Sequence, residues 1–198
     1  MTAQLNDVGF LVETDDQLAD LARAAPGACF CWVRITELYA DGRAQAWAGA
    51  GPRGTRFAGP PLILELPDMA LVRQQITCPA TVSLQITAFA HAAECFPDDT
   101  AYRLWQESRP TPMSPECFIP SGAFAQPPRP EAAFAGRIEQ ARLRTNPATG
   151  RPIHHLRVKT GIGTVDVVAD PGNLDGIAIA GGIVQGYFSL SGRIVALG

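Results

Sequence analysis

Hydrophobic and polar positions alternate most cleanly over Thr81–Ala88. Val82, Leu84, Ile86 and Ala88 share one face, and Ser83, Gln85 and Thr87 share the other. A period of two describes a half-buried strand. Val8–Glu13 also reads as a strand. Thr14-Asp15-Asp16-Gln17 after it fits a capping box, with Leu18, Leu21, Ala22 and Ala25 at helical spacing and Pro26-Gly27 as the stop. Ala28–Leu38 is rich in strand formers, and Asp41-Gly42 turns it into a second strand, Arg43–Ala48. A Gly/Pro-rich loop over 49–61 leads to a short strand, Leu62–Leu66. Pro67-Asp68 then caps a helix over Met69–Ile76, and Pro97-Asp98-Asp99 opens another carrying Tyr102 and Trp105. Strands and helices mixed without βαβ order predict an α+β unit over residues 1–108.

Residues 109–130 break this pattern. Seven of the 17 prolines lie between Pro110 and Pro130, which keeps the segment extended. Phe118, Ile119 and Phe124 within it are costly to leave in water, so it is expected to pack as a connector.

Strand patterns then run over Phe134–Thr145, Ile153–Thr160, Thr164–Ala169 and Ile183–Val195, with turns at Asn146–Gly150 and Gly161–Gly163. The apolar positions slip phase near Glu139–Gln140, which predicts a β-bulge. Leu156, Val158, Val165, Val167, Val184, Phe188, Leu190 and Ile194 face inward. His155, Arg157, Lys159, Gln185, Tyr187, Ser189 and Arg193 face outward. A long bulged strand, the Asn-Pro-x-Thr-Gly-Arg-Pro turn, two further strands and a Gly-rich return resemble an OB-like β-barrel over 131–198. The resemblance implies binding along an outer strand face. The wording VVADP at 167–171 and GGIVQGYFSLSGRI at 181–194 is similar to uncharacterised bacterial proteins of comparable length.

Composition narrows function by exclusion. The chain is 46% hydrophobic and 18% charged with a net charge of −3, a globular profile with no overall attraction to nucleic acid or anionic membrane. The charge is uneven: residues 1–130 carry −5 and residues 131–198 carry +2. Five cysteines, an odd number, read as reduced thiols in the cytoplasm rather than a disulfide framework. The first residues lack a signal-peptide pattern, and no apolar run is long enough to span a bilayer.

Catalytic patterns are sparse. Gly49–Gly54 spells GxGxxG, but Pro52 sits inside it and no helix follows, so no dinucleotide cofactor is expected. His91 and Cys95 with Cys29 and Cys31 have zinc-ligand chemistry without knuckle spacing, so no metal is expected. Cys117 and the bases His91, His154 and His155 are the remaining candidates for a hydrolase or transferase site in the N-terminal unit, as is a carboxylate pair of Glu94 with Asp98 or Asp99.

The most coherent surface is the outward strip Arg142, Arg144, His155, Arg157, Lys159 and Tyr187. It has cations for phosphates but few aromatics for base stacking, so a solvated face or a protein contact outweighs single-stranded nucleic acid. The expectation is a non-catalytic cytoplasmic binding protein with a protein or small-ligand partner, capable of forming a homodimer. Single-strand binding and catalysis are the alternatives.

Overall fold

The structure, a computed structural model, describes residues 4–5, 11–12, 31–49, 59–67, 69–146 and 149–197. Of the expected strand Val8–Glu13, only Leu11–Val12 is described. The expected helix at Leu18–Ala25, Cys29 and all of the GxGxxG stretch except Gly49 lie outside the described residues.

A short pair, β1 (Gln4–Leu5) and β2 (Leu11–Val12), stands apart. The remaining ten strands form one mixed sheet. They are β3 (Cys31–Leu38), β4 (Arg43–Gly49), β5 (Pro61–Glu65), β6 (Ala80–Phe96), β7 (Phe118–Ile119), β8 (Glu131–Thr145), β9 (Pro152–Thr160), β10 (Gly163–Ala169), β11 (Leu174–Asp175) and β12 (Ile183–Leu197). Two α-helices are described, α1 (Met69–Gln75) and α2 (Asp99–Glu107). Asp98 caps α2 by accepting from the Ala101 amide at 2.8 Å, as the sequence predicts.

The strand pairings close two rings that share β6 and β12. One runs β6–β3–β4–β5–β12, its last link being the single parallel pair Ser191–Glu65. The other runs β6–β10–β9–β8–β12 and includes a parallel pairing of Asp166–Val168 with Thr87–Phe89. β6 and β12 run antiparallel from Val82–Leu197 to Phe96–Ile183. Their inward side chains join both rings in one apolar core, from Val33, Leu62 and Leu64 at one end to Phe134, Val158 and Phe188 at the other. Phe188 stacks on Phe134 at 3.9 Å between ring centres, and Phe134 stacks on Phe118 at 5.6 Å.

This arrangement overturns the expected α+β unit followed by a small OB-like barrel. The strands of residues 131–198 do not close on themselves. Their ring is completed by β6, from the other side of the Pro-rich segment. The alternation at Thr81–Ala88 is only the first half of a strand that continues through Ala90, His91 and Ala93 to Phe96. Loss of strict alternation beyond Ala88 hides that continuation. The bulge expected near Glu139–Gln140 is present, as a register shift between Ile138 and Gln140.

Gly42 (φ +92°) turns β3 into β4. Gly176 (φ +79°) lies where a Cβ would run into the Cys95 carbonyl, so only glycine lets the chain leave β11 that close to β6.

Candidate functional site

The outer face of the second ring carries a cleft of about 280 Å³ where β6 and β12 meet α2 and β11. Its floor is made of small residues. Tyr187 pairs in register with Ala92 on one side and Ala133 on the other. Ala92 is exposed and Ala133 half-buried, and both line the cleft with Gly186. Two alanines on a strand face leave a space that larger side chains would fill.

The next row of the sheet supplies polar groups. Gln185 pairs in register with Glu94, and Glu94 with Asp175 of β11. Glu94 and Asp175 are thus register neighbours on the parallel pair β6–β11, with Asp175 exposed. Beyond them, α2 covers Phe96, Ala135 and Ile183 through Tyr102 and Trp105. Trp105 thereby becomes a wall. Arg109, just past the helix, lays its guanidinium over the Trp105 ring at 3.9 Å and faces Glu94 at 4.0 Å. The stacking is a cation–π contact. The ion pair is wider than a hydrogen bond, and the second carboxylate oxygen of Glu94, Oε2, is shielded from solvent with no donor.

The orientation of Gln185 follows from its neighbours. The Met113 amide can only donate, so the Gln106 atom that it meets at 2.9 Å is oxygen. The Gln106 amide nitrogen then donates to Gln185, whose receiving atom must be Oε1. The Tyr102 hydroxyl lies 2.7 Å from the same oxygen. Gln185 lines the cleft, and its NH₂ is left over as a donor to the space. Burial pushes the Tyr102 phenol up to about 12, so it stays protonated at neutral pH.

At the other end, β6 bulges at His91, between Ala90 paired with Phe188 and Ala92 paired with Tyr187. Bulges redirect side chains. His91 lies 5.7 Å from the Tyr187 ring, and its Nε2 is 2.7 Å from Ser189 Oγ. Such a pair resembles a nucleophile and its base, but among the described residues no carboxylate holds the other ring nitrogen. Cys95 points into the core, and burial pushes its thiol up to about 12, which rules it out as a thiolate nucleophile. Cys95 and His91 therefore serve opposite sides of the sheet. Among the described residues no group of three His, Cys, Asp or Glu could hold a metal.

The outward strip is placed as follows. Arg142 pairs in register with His155 on β8–β9, with Arg144, Arg157 and Lys159 on the same two strands. His155 is buried: its Nε2 meets Asp166 Oδ1 at 3.0 Å, and Gln85 Nε2 donates to Asp166 Oδ2 at 3.2 Å. Its outward parity holds, but it offers nothing to solvent. Arg157 pairs with Glu139 at 3.2 Å and Lys159 with Glu116 at 3.3 Å. Tyr187 lies apart on β12, donating to Glu131, and borders the cleft rather than the strip.

Sequence reasoning missed Trp105, Arg109, Asp175 and Ala133 as neighbours. Trp105 and Arg109 lie four residues apart on α2 and just past its end, but Ala133 and Asp175 come from β8 and β11, and no local spacing joins those three places. The run Ala90-His91-Ala92-Ala93, a histidine among small residues on a strand, is the one local sign. No protein-family model, curated protein or solved structure matches the chain.

Proposed function

We propose that this protein binds a small organic ligand, without transforming it, in the cleft between α2, β11 and the β6–β12 face. The cleft itself carries the reading: a small-residue floor, an aromatic wall and a few convergent polar groups are the makeup of ligand sites. The alternatives have less support. The acidic partners of Arg157 and Lys159 and the burial of His155 reduce the charge available to a nucleic-acid phosphate chain. For catalysis, no third group among the described residues orients the His91 ring beside Ser189. Free thiols at Cys31, Cys78, Cys95 and Cys117 fit the reducing cytoplasm as its location. No helix among the described residues is long and apolar enough to cross a membrane.

A ligand-observed NMR screen of a fragment mixture, on the native protein and on Ala92→Phe, tests the reading. Fragments should bind the native protein and lose most of their signal when the new ring occupies the floor, with the circular dichroism spectrum unchanged. Equal binding by both proteins would refute the site. Salt-sensitive oligonucleotide binding that weakens in Arg157→Ala would favour the nucleic-acid reading instead.

A further inference from the structure

We infer that the open edge of β8, from Gln140 to Thr145, takes an extended acidic peptide as an added strand. The site lies outside the cleft, none of whose lining residues belongs to this segment.

The register shows which backbone groups this edge offers. β12 pairs with β8 only as far as Arg137, and the loop before β12 closes on Ile138, which donates to Gly182 and accepts from Gly181. β8 runs on to Thr145 with β9 along its other side. Across the turn the Asn146 amide donates to the Arg151 carbonyl, which makes them a hydrogen-bonded pair. Such pairs alternate with non-hydrogen-bonded ones along an antiparallel ladder. Arg144 and Arg142 therefore bond across to Ile153 and His155, while Thr145, Leu143 and Ala141 turn their N–H and C=O groups away from β9. Pro152, which has no amide proton, sits opposite Thr145, where this phase asks for none. Among the described residues no strand takes up the outward groups, and Leu143 and Thr145 are exposed. Gln140–Thr145 contains neither glycine nor proline to spoil it as a template for another strand.

Charge decides which strand fits. A second copy of this chain does not. Pairing two β8 edges antiparallel, with their outward groups matched, sets Arg142 against Arg144, Arg142 against itself or Arg144 against itself, according to register. Like charges directly opposite destabilise a sheet. An acidic strand reverses the sign. Carboxylates at alternate positions meet Arg142 and Arg144 on one face, and an apolar residue between them lies against Leu143 on the other, where that side chain is 66% exposed. The charges that keep copies apart are the ones that select the partner.

The test uses the full chain and the blocked peptide TVEVEVT, whose central valine faces Leu143 and whose glutamates face the two arginines. Fluorescence anisotropy of a labelled copy at low salt measures the affinity. Amide hydrogen exchange followed by NMR locates the contact: the Ala141, Leu143 and Thr145 amides should become protected. Two changes remove a ladder bond and keep the charge, an N-methyl group on the central valine and Leu143→Pro in the protein. The Leu143 amide faces away from β9, so proline there deletes a donor without breaking the β8–β9 ladder. Each should weaken binding about ten-fold. If the proline variant does not fold, the N-methyl peptide reads the same contact. The basic peptide TVKVKVT should bind Arg142→Glu/Arg144→Glu and not the native chain. Equal binding of the N-methyl peptide, or binding that leaves these amides unprotected, would overturn the added strand. Equal binding of TVKVKVT to the native chain would overturn the acidic selection, and no binding of TVEVEVT would overturn both. A native dimer in sedimentation that dissociates in Leu143→Pro would give the edge to a second copy and overturn the assignment.

Discussion

Removing the Asp166 carboxylate should destabilise the protein more than any single surface change. Asp166 joins β10 to β6 and β9: Gln85 Nε2 donates to one oxygen at 3.2 Å, and His155 Nε2 lies 3.0 Å from the other. The His155 and Asp166 side chains are 4% and 3% exposed, so water cannot replace a lost partner. In Asp166→Ala, Gln85 and His155 each lose a partner. At about 1–3 kcal/mol per unsatisfied buried group, the cost is about 2–6 kcal/mol, a large part of the ~5–15 kcal/mol that stabilises a typical domain. Asp166→Asn keeps the shape. Its amide oxygen can still accept from Gln85, and its NH₂ can donate to His155 once the ring takes the tautomer with an accepting Nε2, so the cost should stay near ~1 kcal/mol. Urea unfolding followed by circular dichroism and by tryptophan fluorescence measures both variants. In a chain of this size the alanine variant should melt on the order of 10 °C lower. A loss below about 1 kcal/mol for Asp166→Ala, or equal losses for the two variants, would refute the claim that unsatisfied partners set the cost.

Phe188→Ala removes a fully buried ring stacked at 3.9 Å on Phe134 and should cost about 3–5 kcal/mol in the same urea assay; a loss under ~1 kcal/mol would mean that the core collapses to fill the space. Gly136→Ala places a Cβ 2.7 Å from the Lys159 carbonyl oxygen and against Val158, so thermal melting should show a loss of about 1–3 kcal/mol despite the higher strand propensity of alanine. Burial pushes the Cys31 and Cys95 thiols up to about 12. At about pH 8 only on the order of one thiol in ten thousand is then thiolate, so peptide mapping after iodoacetamide treatment should find both unlabelled until denaturant is added. Rapid labelling of either in the folded protein would contradict its burial.

How much of this was legible in the sequence depended on how local each feature is. The Asp98 cap, the Gly42 hairpin and the bulge after Ile138 were readable because each is written in a few adjacent residues. The inward set Leu156, Val158, Val184 and Phe188 followed from alternation alone. The reading as an α+β unit followed by a small barrel failed because β6 has two characters. Its first half alternates, while its second half is alanine-rich and bulged at His91, and nothing local says that both halves pair with β12. His155 shows the same limit. Parity placed it outward, but its burial depends on Asp166 across the β9–β10 hairpin and on Gln85 from a distant strand. The cleft was the least readable feature, since Glu94, Arg109, Asp175 and Gln185 meet only through the sheet register and the position of α2.

The sharing of β6 and β12 by both rings has a consequence for how the chain is made. Synthesis proceeds from the N-terminus, and β12 follows every other strand of the sheet. Residues 80–96 therefore wait for a partner about a hundred residues downstream, and neither ring can close until β12 has emerged from the ribosome. Until then the apolar sides of β3 to β10 have no complete core to enter. In this topology one strand, β12, completes both halves of the sheet.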